Sequence, residues 1–298
     1  MNKLLAGLLA FVIIISGIPV VASVPAENAD LTIGSLAELQ LFAEAVNGGD
    51  TFEGKTVALT ADIMLGGESS PWTAIGTAAN TFKGTFDGDN HIISGLYIES
   101  GSSVGFFGDV NGGTIKNLIV RGKVNSSSNV SGIVGKLTAG NVVNCGNEAS
   151  VSGGANVGGV VGSVNGDCVI SGCYNKGDVS GTTGYIGGVT GQHWRAGKLE
   201  NCYNVGTVSG PATVGGVAGG HKASSPVLEN CYNAGNVKDT AGNNNNIGAV
   251  IGATKGENTN CYYIAGSVSD SKCTEAETLS ASQLSDAFTD KGELPCLK

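Results

Sequence analysis

Val157-Gly158-Gly159-Val160-Val161-Gly162 and the Gly172-Cys173-Tyr174-Asn175 that follows it decide the fold, because both blocks return at a fixed beat. The first recurs as Val130-Ser131-Gly132-Ile133-Val134-Gly135, Ile186-Gly187-Gly188-Val189-Thr190-Gly191, Val214-Gly215-Gly216-Val217-Ala218-Gly219 and Ile247-Gly248-Ala249-Val250-Ile251-Gly252. Val104-Gly105-Phe106-Phe107-Gly108 is a shortened first copy. The second block returns as Asn144-Cys145-Gly146-Asn147, Asn201-Cys202-Tyr203-Asn204, Asn230-Cys231-Tyr232-Asn233 and Asn260-Cys261-Tyr262-Tyr263. Its cysteines stand 28, 29, 29 and 30 residues apart, and Leu118, 27 before Cys145, takes the same slot.

A period near 28 residues marks a stacked-repeat architecture. These units lack the Leu, Ala and helix formers of helical repeats, and each interior Gly would cost a helix ~1 kcal/mol. Short β-branched runs bounded by Gly and Asn are strands. One unit fits about three short strands and three corners, a single coil of a parallel β-helix rising ~4.8 Å. Each coil buries its inner side chains only when neighbours cover its edges. In Val-Gly-Gly-Val the two apolar residues have opposite parity, so both point inward only if the Gly pair bends the chain. Asn175, Asn204 and Asn233 are read as left-handed corner residues, stacked into an amide ladder.

The segment before the repeats is different. Ser35 with Glu38 makes a capping box. Leu36, Leu39, Phe42, Ala43 and Val46 follow at helical spacing, and Asn47-Gly48-Gly49 ends the run. This helix can cover the open edge of the first coil. Strands are expected at Thr56–Leu59, Trp72–Ile75, Phe82–Phe86 and Ile92–Ile98, the last two around an Asp87-Gly88-Asp89-Asn90 turn. Downstream, Thr274 to Phe288 has helical character and is a second candidate cap.

Composition narrows the function. Of 298 residues 49 are Gly and 6 are Pro, with no three-residue period, so collagen is excluded. Charged residues are only 14%, too few for a coiled coil or a charged disordered chain. A net charge of −9 with dispersed Lys argues against nucleic acid, whose binding comes mainly from neutralised phosphates. Lys3 followed by the apolar Leu4–Val21 run and small residues reads as a secretory signal. The expected layout is 1–23 signal peptide, 24–100 N-terminal cap and first coils, 101–268 solenoid repeats and 269–298 tail or cap. No membrane span is expected after signal cleavage.

The Val-Gly-Gly-Val-Val-Gly core followed by Asn-Cys-Tyr-Asn resembles the repeat of GLUG-motif proteins of bacterial surfaces. The helix from Leu36 to Val46, Trp72-Thr73-Ala74-Ile75-Gly76 and Phe82-Lys83-Gly84-Thr85-Phe86-Asp87-Gly88 are similar to their leader. The likeness spans roughly residues 31 to 268. It implies a right-handed parallel β-helix (β-solenoid) of ~28-residue coils with a short N-terminal capping helix, in a secreted or cell-surface, adhesin-like protein. Similar repeats accompany the catalytic domain of immunoglobulin-A-cleaving metallopeptidases. The resemblance carries no catalytic residue onto this chain.

Four groups of residues are candidates for chemistry. His91, His193 and His221 are far apart in sequence and form no zinc-peptidase His-Glu-x-x-His. Asp87 and Asp89, with Asp109 nearby, form the best acidic group for Ca²⁺ or polysaccharide chemistry, against the simpler reading of a tight turn. Trp194, in the corner loop His193-Trp194-Arg195, and the recurring Tyr174, Tyr203 and Tyr232 are candidates for binding a sugar or protein, against packing on the wall. The five in-register Cys read as buried apolar thiols, while Cys168, Cys273 and Cys296 leave room for a disulfide. The expectation is a non-enzymatic extracellular binder of a host or matrix glycan or protein, with no cofactor and no metal. The alternatives are a structural spacer and a polysaccharide-active β-helix enzyme.

Overall fold

The computed structural model describes residues 28–195, 197–221, 227–242, 246–253, 257–264, 266–268 and 277–279. The stretch read as a signal sequence and most of the tail lie outside the described residues. One wall is a run of parallel strands in chain order: Leu31–Ile33, Thr56–Leu59, Thr85–Asp87, Phe107–Lys116, Val134–Val143, Val161–Val164, Thr190–His193, Ala218–His221 and Ile251–Ala253. About eight turns of a parallel β-solenoid result. Pairing keeps the sequence repeat in register: Val161 lies beside Val134 and Thr190, and Tyr203 beside Tyr174 and Tyr232.

A regular coil holds five short strands, not three: Val161–Val164, Val169–Ser171, Tyr174–Asn175, Val179–Gly181 and Tyr185–Gly187. The extra break falls at the residue just before the Cys slot. That residue is left-handed in coil after coil: φ is 52° at Asn117, Asn144, Asn230 and Asn260, 53° at Asn201, and 63° at Gly172. Asn and Gly are the residues that tolerate this region. The left-handed corner was expected at Asn175, Asn204 and Asn233. It stands three residues earlier, and those three asparagines are fully buried instead.

The Gly pair does turn the chain. A strand ends at Gly158, the next begins at Val161, and Val157, Val160 and Val161 all reach the core. The second Gly of the pair is needed for close approach. A Cβ on Gly159 would lie 2.3 Å from the Asn175 amide oxygen, and on Gly188 2.5 Å from that of Asn204. The opposite walls of the coil therefore meet directly, backbone against the buried Asn row. Where the row ends, with Tyr263 beside Asn233, the Gly slot is filled by Ala249.

The N-terminal end is built differently. Helix α1 (Leu36–Asn47) starts at Ser35, whose hydroxyl accepts from the Glu38 N–H at 3.3 Å, while the Glu38 carboxylate accepts from the Gly34 N–H at 2.9 Å. Leu39, Phe42, Ala43 and Val46 are buried as the stripe requires. Phe42, Phe52, Phe82, Phe86, Phe106 and Phe107 then fill the first coils, with ring centroids 4.9–5.9 Å apart. Thr56–Leu59 and Ile92–Ile98 are strands with the expected limits. Trp72–Ile75 is not a strand: only Ile75 forms a single bridge, to Phe107. Phe82 makes one bridge, and its strand starts at Thr85. Within the stretch read as helical, Glu277–Leu279 is a strand paired with Tyr262–Ile264.

Candidate functional site

Most chemically active side chains along the coils hold neighbouring coils together. The amide of Asn147 donates to Asn175 at 2.7 Å, Asn175 to Asn204 at 2.7 Å and Asn204 to Asn233 at 2.8 Å. Each also donates to the carbonyl two residues on, in Ala149, Gly177, Gly206 and Gly235. A buried amide without such partners would cost ~1–3 kcal/mol. Two further Asn rows lie nearer the surface: Asn129–Asn156 at 3.0 Å, before the Val-Gly-Gly block, and Asn201–Asn230–Asn260 at 3.2 and 3.1 Å, before the Cys slot.

The tyrosines form the expected stack. Tyr174 and Tyr203 lie 5.4 Å apart at 7°, and Tyr203 and Tyr232 5.0 Å apart at 14°. Tyr203 and Tyr232 are only 3% and 1% exposed, so their rings serve packing and offer no open stripe to a ligand. Tyr174 is half-buried and ends the described stack. Its ring fills the space above Gly146, and the Lys176 ammonium stands 4.9 Å over it. Glu148 accepts from the Tyr174 hydroxyl, Arg121 and Lys176. Burial alone would raise the Glu148 carboxyl, but the bonds from Arg121 and Lys176 win and hold it below its usual range. Trp194 is 45% exposed, just beyond the strand that ends at His193.

The acidic group expected near Asp87 is a structural turn. Asp87 is fully buried, pairs with Lys116 Nζ at 2.9 Å, and accepts from the Asn117 side chain and the Asp89 N–H. Asp109 lies apart from it, near Lys136 at 3.6 Å. Burial raises the Asp109 carboxyl, against the pull of Lys136. Among the described residues no three His, Cys, Asp or Glu side chains gather as metal ligands. Cys145, Cys168, Cys173, Cys202, Cys231 and Cys261 are buried free thiols, while Cys273 and Cys296 lie outside the described residues. Burial pushes Cys168 up to about 11, which disfavours a thiolate there. Along the stacked row burial raises Cys145 and Cys202, while at Cys173 and Cys231 it is outweighed by hydrogen bonds from the neighbouring thiols, which lower them.

Two features escaped the sequence reading. His193 and His221, 0% and 3% exposed, stack at 5.0 Å, and no ring nitrogen of either has a hydrogen-bond partner. They occupy the slot that Leu137 and Val164 fill in the preceding coils. Burial, and for His193 also the neighbouring His221, holds both below the usual imidazole range, His221 at about 4. Each follows the last Gly of its repeat block by two residues, so the register itself stacks them. The second feature is a pair of grooves beside Trp72, a residue whose strand-like context concealed a loop.

The molecule is thus an all-β parallel solenoid with an N-terminal capping helix. Among solved structures it is similar to a Bacteroides ovatus protein provisionally described as an immunoglobulin A1 protease, at 21% identity and a TM-score of 0.71, over 88% of this chain and 87% of that one. The likeness is one of fold. No family model matches the chain, and no curated protein matches it in sequence.

Proposed function

We propose that the chain is a non-enzymatic, secreted or cell-surface solenoid that binds a host or matrix glycan or protein. The observation that supports this most is how the side chains of the repeats are used. Asn amides, Cys thiols and Tyr rings are spent on coil-to-coil contacts, which makes a rigid rod whose loops carry the remaining exposed groups, such as Trp194. Rigid scaffolds presenting loops are a common basis of recognition. The GLUG-type repeats, together with the fold shared with the Bacteroides protein, favour a bacterial surface setting.

The name of that protein favours one second reading, a peptidase or a part of one. A single experiment separates the readings. Purified chain beginning at residue 24 is passed over immobilised mucins, matrix proteins and polysaccharides, and the effluent is analysed for fragments. Retention without fragments is expected, and Trp194→Ala should weaken it if that loop makes the contact. Released fragments would overturn the non-enzymatic reading, and no retention on any surface would leave a spacer.

A further inference from the structure

The cap region departs from the solenoid wall at one place. After Leu65 the chain leaves the coil and returns at Ile75, carrying Trp72 at the edge of the core. Three contacts fix this residue. Its backbone N–H donates to the Tyr97 carbonyl at 2.8 Å, its indole N–H donates to the Phe106 carbonyl at 3.1 Å, and its ring lies on Phe106 at 5.5 Å and 12°. The indole is therefore held flat and half-buried.

Pro71, Trp72 and Thr73 form a ridge between two grooves. One, of about 460 Å³, has helix α1 as its far wall, with Gln40, Glu44 and Asn47. The other, of about 410 Å³, is closed by Glu99, Ser102 and Asp109. Such volumes suit small ligands or one to two sugar rings each, at the lower end of the ~300–1,000 Å³ typical of ligand sites. The linings combine carboxylates, amides and hydroxyls with one fixed aromatic plane and aliphatic side chains such as Leu36, Leu65, Ile98 and Val104, and neither contains Lys, Arg or His. Of the carboxylates there, Glu99 already accepts from the Tyr97 hydroxyl and Asp109 lies 3.6 Å from Lys136 Nζ, and a phosphate or sialic acid would meet Glu44 and Glu99 with no cation in either lining. A pyranose matches well: its C–H face stacks on an aromatic plane, and its hydroxyls donate to carboxylates. We propose that the Trp72 ridge and its two grooves form a binding site for an uncharged oligosaccharide lying across the indole, with Glu44 on one side and Glu99 and Asp109 on the other accepting from its hydroxyls.

This rests on the reading of the chain as a binder and gives that binder a site and a ligand class. The chain has two Trp, so in a Trp194→Phe background the indole fluorescence belongs to Trp72. That protein is titrated with cellotriose, mannotriose and tri-N-acetylchitotriose, and with 3′-sialyllactose as the acidic comparison. At least one neutral trisaccharide should shift the emission saturably. Glu44→Gln and Asp109→Asn should each weaken that binding about tenfold, the scale of one charge-assisted hydrogen bond lost. Glu44 lies on the cap helix, so its variant tests the site even if Asp109→Asn disturbs folding. A silent indole with all three neutral sugars, or equal binding of sialyllactose, would overturn the proposal. Retention on the immobilised panel alongside a silent Trp72 would remove this site and keep the binding reading, whereas loss of both would remove both.

Discussion

The first coils and the later repeats solve the same packing problem with different materials. Near the helix, six phenylalanines fill a wide, irregular cross-section, and the chain can afford a loop that leaves the wall at Trp72. From Val130 onward the coils are thin. Val, Ile and Cys fill them, and the walls meet where Gly159, Gly188 and Gly216 face the Asn row. A wide aromatic core tolerates rearrangement, because its volume is shared among many contacts. A thin coil has little room to relax, and each of its repeats touches only its neighbours. The difference teaches that the regular coils leave no slack between facing walls, whereas the irregular first coils leave grooves beside Trp72.

The contrast is broken most severely at the glycines. Gly188→Val places a Cβ 2.2 Å from the Gly216 carbonyl oxygen and 2.4 Å from the Asn204 side chain, and backbone cannot move aside within a stacked coil. The expected loss is at least ~4 kcal/mol. Because coupling in a solenoid runs between neighbours, hydrogen exchange should show protection lost across the coils around 186–219 and kept around the phenylalanine cluster. Uniform loss over the chain would show that the two regions are one cooperative unit. Unchanged protection would show that the walls do not meet as described.

How much of this was legible in the sequence follows from what repeats. The period gave the coil, the register and the buried Cys slot, since five copies report one environment. It also gave the Asn ladder, although not which Asn turns the chain: both Asn of Asn201-Cys202-Tyr203-Asn204 suit a left-handed corner, and inward direction decides between them. Features without copies stayed hidden. Trp72-Thr73-Ala74-Ile75 alternates like a strand, but the core takes Ile75 and leaves Trp72 at the rim. The histidines were hidden for a different reason, having been read as far apart along the chain although one coil separates them.

Those histidines supply a smaller, conditional difference between the regions. In the folded chain His221 titrates at about 4, against an ordinary value of 6.5, and burial lowers His193 in the same direction. A depressed pKa means that the unfolded chain binds more protons between the two values. The associated stability is thus complete above about 6.5 and is lost as the pH falls from there through about 4. For His221 alone the loss is on the order of 3 kcal/mol, at ~1.4 kcal/mol per pKa unit. The first coils contain no such pair: His91 is partly exposed and hydrogen-bonded to Asp62 at 3.1 Å. Melting followed at pH 7, 5.5 and 4.5 should therefore show the repeat region giving way first on acidification. His193→Leu with His221→Leu, after the Leu137 precedent in the same slot, should flatten that response. An equal response in the double variant would show that the stack is not its source.

The smallest effect is expected at the Cys row, and it tests what the repeat conserves. Each thiol sits in the core and reaches the carbonyl two residues back, Cys202 to Glu200 at 3.1 Å and Cys231 to Glu229 at 3.3 Å. A thiol is a weak donor, and Leu118 fills the equivalent slot with no donor at all. The position therefore selects size and apolarity more than sulfur chemistry. Cys202→Ala should cost only about 1 kcal/mol through the lost volume, Cys202→Val less, and both far less than the glycine variant beside them. Reductant should leave the melting temperature unchanged, and iodoacetamide should label the described thiols only after denaturation. A melting temperature that falls by several degrees in reductant would mean that these sulfurs are paired in the native chain, and the thin coils would then owe their rigidity to covalent bonds instead of to the meeting of Gly and Asn.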